Sequence, residues 1–343
     1  MKNKKRLQYI DCLRGFSMIF VVFQHILTFA LPDIPESWIA SFIKTFRMPL
    51  FFFISGFVSY KAVFEWNLIN FGKIQLKKIR GQLLPTFVMF FLFVTLHDQQ
   101  YEKWIFDWAH AGYWFTIVSF EIFLTYCIIS MFCRKIKNQN ILLLIFVLSA
   151  IGISCVWQNI GHFCRTKTMQ LFSVGCYVKY YIYFIAGIIV RCKMDTFHKL
   201  IENKYVTLLL FVLAIILPYI FPKYNMTIII LSRLCCIYSV FYFFREFFET
   251  NNKFSLGLST IGRHTLEIYF LHYFLLFRMP HIQSIFNSLL NDKCFYGPSA
   301  EWFVELVIVC VVSVFLCFAC IGIKKIISAF PIISELCFGP QKK

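Results

Sequence analysis

Residues 8–31 read QYIDCLRGFSMIFVVFQHILTFAL, a run long enough to cross the hydrocarbon core of a bilayer as one helix. The run also contains the polar residues Asp11, Arg14 and His25. A charged side chain at the centre of a membrane helix costs roughly 2.5–3.5 kcal/mol on insertion scales, and such residues almost always face the interior of a helix bundle. The run therefore predicts a membrane-spanning helix with one polar face.

The rest of the chain has the same apolar character. Of its 343 residues, 59% are hydrophobic and only 15% are charged, and Phe alone occurs 44 times. A soluble domain carries about 25% charged residues, and a disordered chain needs low hydrophobicity. The composition excludes both classes and predicts an integral membrane protein. A β-barrel is disfavoured because the apolar residues form unbroken runs instead of alternating stretches.

Apolar runs recur along the chain and predict an all-α, polytopic membrane helix bundle of about ten transmembrane helices. No internal repeat and no separate soluble domain is visible, so we expect a single integral-membrane domain over residues 1–343. The predicted spans are residues 8–31, 38–60, 82–97, 113–133, 140–157, 172–190, 205–222, 226–247, 257–277 and 301–323.

The basic residues predict the orientation of the bundle. The chain has 34 Lys and Arg residues against 17 Asp and Glu residues, a formal net charge of +17. Of these cations, 23 lie in segments on the same side as the N-terminus and six lie in the opposite loops. Since cytoplasmic loops are rich in Lys and Arg, we expect a cell-membrane protein with both termini in the cytoplasm. The lipid bilayer then accounts for the basic excess, and we expect no nucleic acid partner.

The fourteen cysteines do not resemble a disulfide framework or a metal site. Most lie in apolar runs, where a thiol packs as a small hydrophobic group. Cys164 and Cys294 fall outside the predicted spans, and we do not expect a bridge between them. No Cys and His set has zinc spacing, so we expect no metal.

Arg14 and His25 share one face of the first helix. Eleven residues at about 100° each make three turns plus roughly 20°, which places the two side chains about 16 Å apart along the axis. Asp11 can pair with Arg14 at the i,i+3 spacing but lies about 21 Å from His25 by the same rise. A single membrane histidine is more often a hydrogen-bonded core residue, whereas an arginine on the same face favours a polar cavity. In such a cavity His25 can accept a proton near neutral pH.

The second span contains FRMPLFFFISGF at residues 46–57. Pro49 removes a backbone donor and predicts a kink. The pair Ser55 and Gly56 favours close packing against another helix, although a site role for Ser55 stays open. Arg47 lies inside the span, where we favour a site role.

A basic stretch, KIQLKKIRGQLLP at residues 73–85, connects the second and third predicted spans. It is either a topology signal attracted to anionic lipid or a clamp for a phosphorylated cytosolic ligand. In the second case Lys77 and Arg80, one turn apart, are the candidate phosphate-binding residues. The composition does not decide between them.

Five motifs follow one another in a fixed order. They are YIDCLRGF with His25 downstream, FRMPLFFFISGF, KKIRGQLLP at residues 77–85, YWF at residues 113–115 and IGRHTLEIYFLH at residues 261–272. In this order and spacing, which extends over nearly the whole chain, they resemble the membrane-bound acyltransferase-3 family. Members of that family O-acylate sugars and cell-surface polysaccharides.

The resemblance implies a single-domain O-acetyltransferase that moves an acetyl group from cytosolic acetyl-CoA to a hydroxyl of a sugar or cell-surface polysaccharide precursor. It assigns His25 as the catalytic histidine, acting as general base, and Arg14 as its partner arginine. Arg80 matches the second arginine of the family's Arg-x-x-Arg motif, while Lys77 replaces the first. Arg80, Lys77 and Arg14 are then the expected contacts of the phosphates of acetyl-CoA.

Four more residues are candidates for contacts with the substrate or the developing oxyanion: Arg47, Ser55, Trp114 and Glu121. Glu121 and Glu267 are more simply structural counter-ions of buried arginines. We interpret His264 and His272 as structural or interfacial histidines.

Two other functions use the same residues differently. A transporter or flippase of a sugar or lipid-linked sugar would also need intramembrane charges, but transporters usually contain repeats with matched broken helices. The chain has one proline-broken span at Pro49 and no counterpart in its second half. A non-enzymatic membrane scaffold would not need Arg14, Arg47 and His25 at their insertion cost.

Overall fold

The computed structural model describes residues 7–31, 37–61, 64–97, 100–160, 166–201, 203–220, 226–248, 252–276, 284 and 298–340. Within this part of the chain every regular element is a helix and no strand occurs, which confirms the predicted all-α fold. Cys164 and Cys294 lie outside the described residues.

Two of the helices continue through π-helical turns, at Ile26–Ala30 after α1 and at Ile79–Leu83 between α3 and α4. In chain order the described α-helices are α1 (Gln8–His25), α2 (Trp38–Ser59), α3 (Leu68–Lys78), α4 (Leu84–His97), α5 (Tyr101–Ile105), α6 (Trp114–Phe132), α7 (Gln139–Ile160), α8 (Lys167–Leu171), α9 (Val174–Cys192), α10 (Met194–Ile201), α11 (Lys204–Ile220), α12 (Met226–Phe247), α13 (Lys253–Arg263), α14 (Thr265–Leu275), α15 (Pro298–Ile327) and α16 (Pro331–Phe338).

Seven stretches of the described residues are long and apolar enough to cross a membrane as helices. Two shorter apolar helices, Gln139–Cys155 and Lys204–Pro218, coincide with the fifth and seventh predicted spans. The bundle is therefore polytopic, as predicted. The seven stretches are Gln8–Ala30, Trp38–Ser59, Leu68–His97, Trp114–Phe132, Val174–Cys192, Met226–Phe247 and Glu305–Ile327.

The basic stretch before the third predicted span is helical. Helix α3 begins after Asn67, whose side chain accepts a hydrogen bond of 2.8 Å from the backbone N–H of Asn70. Its Lys, Gln and Leu residues are good helix formers, so charge alone does not interrupt the helix. The helix therefore runs over Leu68–His97 and begins before the predicted span at residue 82.

The ninth predicted span, residues 257–277, is broken in two. His264 has φ −108° and ψ 22°, outside the helical region, and its N–H bonds to the carbonyl of Ile261 at 3.0 Å. Helix α13 ends at Arg263 and α14 begins at Thr265. The expectation of one continuous helix was wrong because hydropathy carries no information about a change of backbone direction.

The chain divides into two compact units. The first comprises Met1–Phe51 and Lys199–Lys325, and the second comprises Phe52–His198 and Ile326–Lys343. Each unit contains a pair of helices in direct backbone contact.

In the first unit, glycines bring α1 and α13 together. A Cβ atom built on Gly15 would overlap the carbonyl of Leu258, and one built on Gly262 would overlap the carbonyl of Asp11. The two glycines lie on facing helices. A Cβ atom built on either one would lie next to the backbone nitrogen of the other. Only residues without a side chain permit this approach.

The start of each helix strengthens the same contact. The side chain of Gln8 donates to the hydroxyl of Ser255 at 3.1 Å, and the thiol of Cys12 donates to the Ser255 carbonyl at 3.3 Å. Asn252 caps α13 by accepting a hydrogen bond from the Ser255 N–H at 2.7 Å. The register of α1 on α13 is thus determined at several points.

In the second unit, the C-terminal part of α2 packs against α9 in the same manner. A Cβ on Gly56 would overlap the carbonyl of Phe184, and a Cβ on Gly187 would overlap the carbonyl of Phe53. The close helix approach predicted at Gly56 is confirmed, with α9 as the partner.

We predict that Gly262→Ala destabilises the protein, because the added methyl group meets backbone that cannot move aside. Overpacking of this kind costs about 1–3 kcal/mol. The control is Gly257→Ala on the same helix, where a Cβ would meet nothing within 4 Å. Thermal unfolding in detergent should show a lower midpoint for Gly262→Ala and an unchanged or slightly higher one for the control. Equal midpoints would contradict the contact.

Candidate active site

Helix α14 contacts Arg14 and His25 of α1. The guanidinium Nη2 of Arg14 donates to the hydroxyl of Thr265 at 3.0 Å, and the hydroxyl of Tyr273 lies 3.1 Å from Nε2 of His25. Thr265 and Tyr273 are separated by about 12 Å of helix rise, so α14 follows α1 from the arginine to the histidine. The prediction that Arg14 and His25 share a face is confirmed, and that face is turned toward α14.

The break at His264 determines how α14 begins. Because α13 ends there, Thr265 is the first residue of α14 and lies buried beside Arg14. Nδ1 of His264 lies 3.4 Å from a carboxylate oxygen of Glu267, one turn further along. Glu267, expected as a counter-ion of a buried arginine, therefore has a histidine contact.

Aromatic rings surround His25. The centroid of its ring lies 5.0 Å from that of Tyr273 and 5.3 Å from that of His272, and the ring of Phe29 stacks on it at 5.7 Å. We call His25, His272 and Tyr273 the histidine cluster. The helix changes to π-helical geometry directly after His25, and such turns occur frequently at functional sites.

Arg47 reaches the histidine cluster from α2. Its Nη1 donates to the carbonyl of Val21 at 3.3 Å, and Val21 precedes His25 by one helical turn. The guanidinium is close enough for its charge to act on all three side chains of the cluster. A fixed positive charge therefore lies beside two imidazoles and a phenol.

The first unit thus assembles Arg14, His25 and Arg47, which the sequence identified, with Thr265 and Tyr273, which it did not. The late motif at residues 261–272 begins before Thr265 and stops one residue before Tyr273. No spacing in the sequence pairs them with Arg14 and His25, since eight residues separate Thr265 from Tyr273 and eleven separate Arg14 from His25.

In the second unit, Lys77 and Arg80 are both exposed. Their neighbour Lys78 is engaged, with its ammonium 4.8 Å above the ring of Phe123 and 3.3 Å from the side-chain oxygen of Gln82. Gln82 in turn donates to the carbonyl of Thr116 at 2.9 Å. The π-helical turn is therefore anchored to α6 while Lys77 and Arg80 stay accessible.

The C-terminal segment contacts the backbone that carries Arg80. Gly339, directly after α16, has φ +77°, a conformation that side chains disfavour. A Cβ built there would lie 2.8 Å from Cα of Gly81 and 3.0 Å from the carbonyl oxygen of Arg80. Helix α16 also packs on α4. The end of the chain thus supports the π-helical turn.

The remaining candidates lie in the second unit. Trp114 begins α6, and its ring stacks on Tyr180 with a centroid separation of 5.5 Å and an angle of 22°. Ser55 is partly buried next to the glycine contact of α2. Glu121 is partly buried and forms no ion pair with any described residue.

The loop before Trp114 is strained. His110, Ala111 and Gly112 all have positive φ, at 44°, 52° and 96°. Ser173, the residue before α9, anchors the loop: its hydroxyl donates to the carbonyl of Trp108 at 2.7 Å. Burial lowers the pKa of His110, so its imidazole is neutral at physiological pH.

Among the described residues, no three His, Cys, Asp or Glu side chains lie close enough to hold a metal ion.

The chain matches a known protein family. The family model of the acyltransferase-3 family, described as an acyltransferase domain, matches residues 7–322. No curated protein and no solved structure matches the chain. The matched range contains the histidine cluster, Arg14 and Arg47, and also Lys77 and Arg80.

We predict that Thr265→Val lowers the thermal unfolding midpoint, since it removes the hydroxyl that accepts a hydrogen bond from Arg14 without changing the shape of the side chain. A hydrogen bond to a charged group contributes about 1.5–3 kcal/mol. Thr265→Ser keeps the hydroxyl and should unfold near the wild-type midpoint. If the valine variant is as stable as the serine variant, the contact does not stabilise the site.

Proposed function

The chain belongs to the acyltransferase-3 family and is a multi-pass membrane acyltransferase, and on that premise we propose that it is a sugar O-acetyltransferase. It transfers an acetyl group from cytosolic acetyl-CoA to a hydroxyl of a sugar or cell-surface polysaccharide precursor. The protein lies in the cell membrane with both termini in the cytoplasm. The observation that carries the proposal is the imidazole of His25, hydrogen-bonded to Tyr273 beside the guanidinium of Arg47.

His25 is the general base. It takes the proton of the acceptor hydroxyl while the hydroxyl oxygen bonds to the carbonyl carbon of the thioester. It then gives the proton to the thiolate sulfur as the carbon–sulfur bond breaks. Histidine suits both steps because its unperturbed pKa lies near neutral pH.

Tyr273 supports both protonation states of His25. Its hydroxyl accepts a hydrogen bond from Nε2–H at 3.1 Å in both states, because the lone pair that takes the substrate proton is then on Nδ1. The stacked ring of Phe29 limits rotation of the imidazole. The base is therefore held in one orientation throughout proton transfer.

Arg47 stabilises the negative charge that develops on the thioester oxygen. A preorganised cation next to the reacting atoms contributes more in a water-poor site than in bulk solvent. The hydrogen bond to the Val21 carbonyl holds the guanidinium in place before substrate binds. Ser55, Trp114 and Glu121 are assigned to positioning the substrates.

Lys77 and Arg80 bind the phosphates of the acetyl-CoA donor. Both Lys77 and Arg80 are exposed; Arg80 lies on the π-helical turn that Gln82 and Gly339 anchor, and Lys77 lies at the end of α3 directly before it. A guanidinium binds phosphate through two parallel hydrogen bonds, and an ammonium binds it as a point charge. The lysine therefore keeps the charge of the family motif but not its fork geometry.

We predict that His25→Ala abolishes acetyl transfer, because it removes the imidazole that takes the proton of the acceptor hydroxyl. Membranes that contain the variant are incubated with labelled acetyl-CoA and a panel of methyl glycosides, and acetylated sugar is counted. The control is His97→Ala at the exposed end of α4, which should keep wild-type activity. Transfer by His25→Ala at the rate of the control would refute the assignment of the base. Wild-type membranes that move labelled sugar across the bilayer without acetylating it would favour the transporter.

We predict that Arg80→Ala raises the KM for acetyl-CoA about tenfold and changes kcat little, since Arg80 binds a part of the donor remote from the thioester. Steady-state kinetics with varied acetyl-CoA measure both constants. Arg134→Ala removes an equally exposed cation outside the turn and should leave KM unchanged. A fall in kcat at unchanged KM would instead place Arg80 in the chemical step.

A further inference from the structure

The imidazole of His272 is completely buried, yet one of its nitrogens lacks a hydrogen-bond partner. The side chain is 0% exposed, and Nε2 has no partner among the described residues. Buried polar atoms are nearly always hydrogen-bonded, because an unsatisfied one has lost its water without compensation. The position therefore requires an explanation beyond packing.

The other nitrogen identifies what Nε2 needs. Nδ1 of His272 lies 3.0 Å from the carbonyl oxygen of Ile268, one turn earlier on α14. A carbonyl oxygen only accepts, so Nδ1 carries the hydrogen. In a neutral imidazole Nε2 then holds the lone pair. The unsatisfied atom is therefore an acceptor, and its partner must be a donor.

The neighbouring side chains do not supply that donor. The hydroxyl of Tyr273 is engaged with Nε2 of His25, and the ring of His272 lies 5.3 Å from the ring of His25. The guanidinium of Arg47 acts on the cluster by its charge but makes no hydrogen bond to Nε2 of His272. With the lone pair of His25 that takes the substrate proton in the proposed function, two imidazole acceptors thus lie side by side.

A single hydroxyl cannot satisfy both acceptors, because it has one hydrogen. In the proposed function that hydrogen goes to His25. The donor for His272 must then be a second group next to the reacting one. In a sugar, the group in that position is the hydroxyl on the adjacent ring carbon.

We infer that His272 binds the acceptor sugar, with Nε2 accepting a hydrogen bond from the hydroxyl adjacent to the one that is acetylated. The inference rests on the proposed function and extends it to the substrate class. The recognised unit is a pair of neighbouring hydroxyls, and a sugar that lacks the second hydroxyl is a poor acceptor.

The first test uses the unmodified protein in membranes. Labelled acetyl-CoA is offered with the best acceptor of a methyl glycoside panel, with its deoxy analogue and with its deoxyfluoro analogue at the carbon beside the acetylated one. Fluorine cannot donate a hydrogen, so both analogues should raise the acceptor KM about tenfold, the factor that corresponds to about 1.4 kcal/mol. An unchanged KM for both would overturn the inference, since a water molecule would then satisfy Nε2.

The second test uses two variants of His272. His272→Gln places an amide atom where Nε2 lies, whereas His272→Asn places one where Nδ1 lies and keeps the bond to the Ile268 carbonyl. If His272 binds the acceptor, the Asn variant should have an acceptor KM about tenfold higher than that of the wild type, with an unchanged KM for acetyl-CoA. The acceptor KM of the Gln variant should lie between those of the Asn variant and the wild type. A merely structural histidine predicts the reverse order, with Asn close to wild type.

The outcomes separate this inference from the proposed function. If wild-type membranes acetylate no glycoside, the proposed function fails and the inference fails with it. A second outcome is that the wild type acetylates a glycoside while the acceptor KM stays unchanged both for the deoxy and deoxyfluoro analogues and for His272→Asn. In that case only the inference fails. His97→Asn is the matched control, and thermal unfolding in detergent shows whether each variant is folded.

Discussion

The backbone contact between α1 and α13 is the constraint from which the candidate site follows. Gly15 and Gly262 allow the two helices to touch, and any side chain there would meet a carbonyl group. Because α13 ends at His264, α14 starts beside the middle of α1 and follows it. Helix α14 thus supplies the partners of Arg14 and His25. Its position depends on Gly15 and Gly262, which have no side chain.

This arrangement explains how polar groups are maintained in a chain that is 59% hydrophobic. Arg14 bonds to Thr265, His25 to Tyr273, and Arg47 to the backbone of Val21. Each of these groups bonds to a different helix instead of to water, as the low dielectric of a membrane requires. Nε2 of His272 has no such partner among the described residues, and an unsatisfied acceptor beside the proposed base is where a substrate is expected.

The predictions about Arg14, His25 and Gly56 succeeded because they depend only on local helix geometry and residue size. Arg14 and His25 were placed on one face because helical geometry relates residues eleven apart, and Gly56 was placed in a helix contact because small residues allow one. Thr265 and Tyr273 could not be found in this way. Their contacts join residues separated by 251 and 248 positions, and no local pattern encodes such a pairing. The break at His264 was missed because hydropathy carries no information about a change of backbone direction.

The sequence alone determined that this is a polytopic helical membrane protein with the motifs of the acyltransferase-3 family, because composition, run length and motif order are properties of the chain itself. Only the tertiary structure decided what surrounds those motifs. It paired His25 with Tyr273, buried His272 beside it and brought Gly339 against the backbone of Arg80. These contacts depend on how the helices pack. That packing is determined together by the shapes of side chains at positions far apart in the sequence.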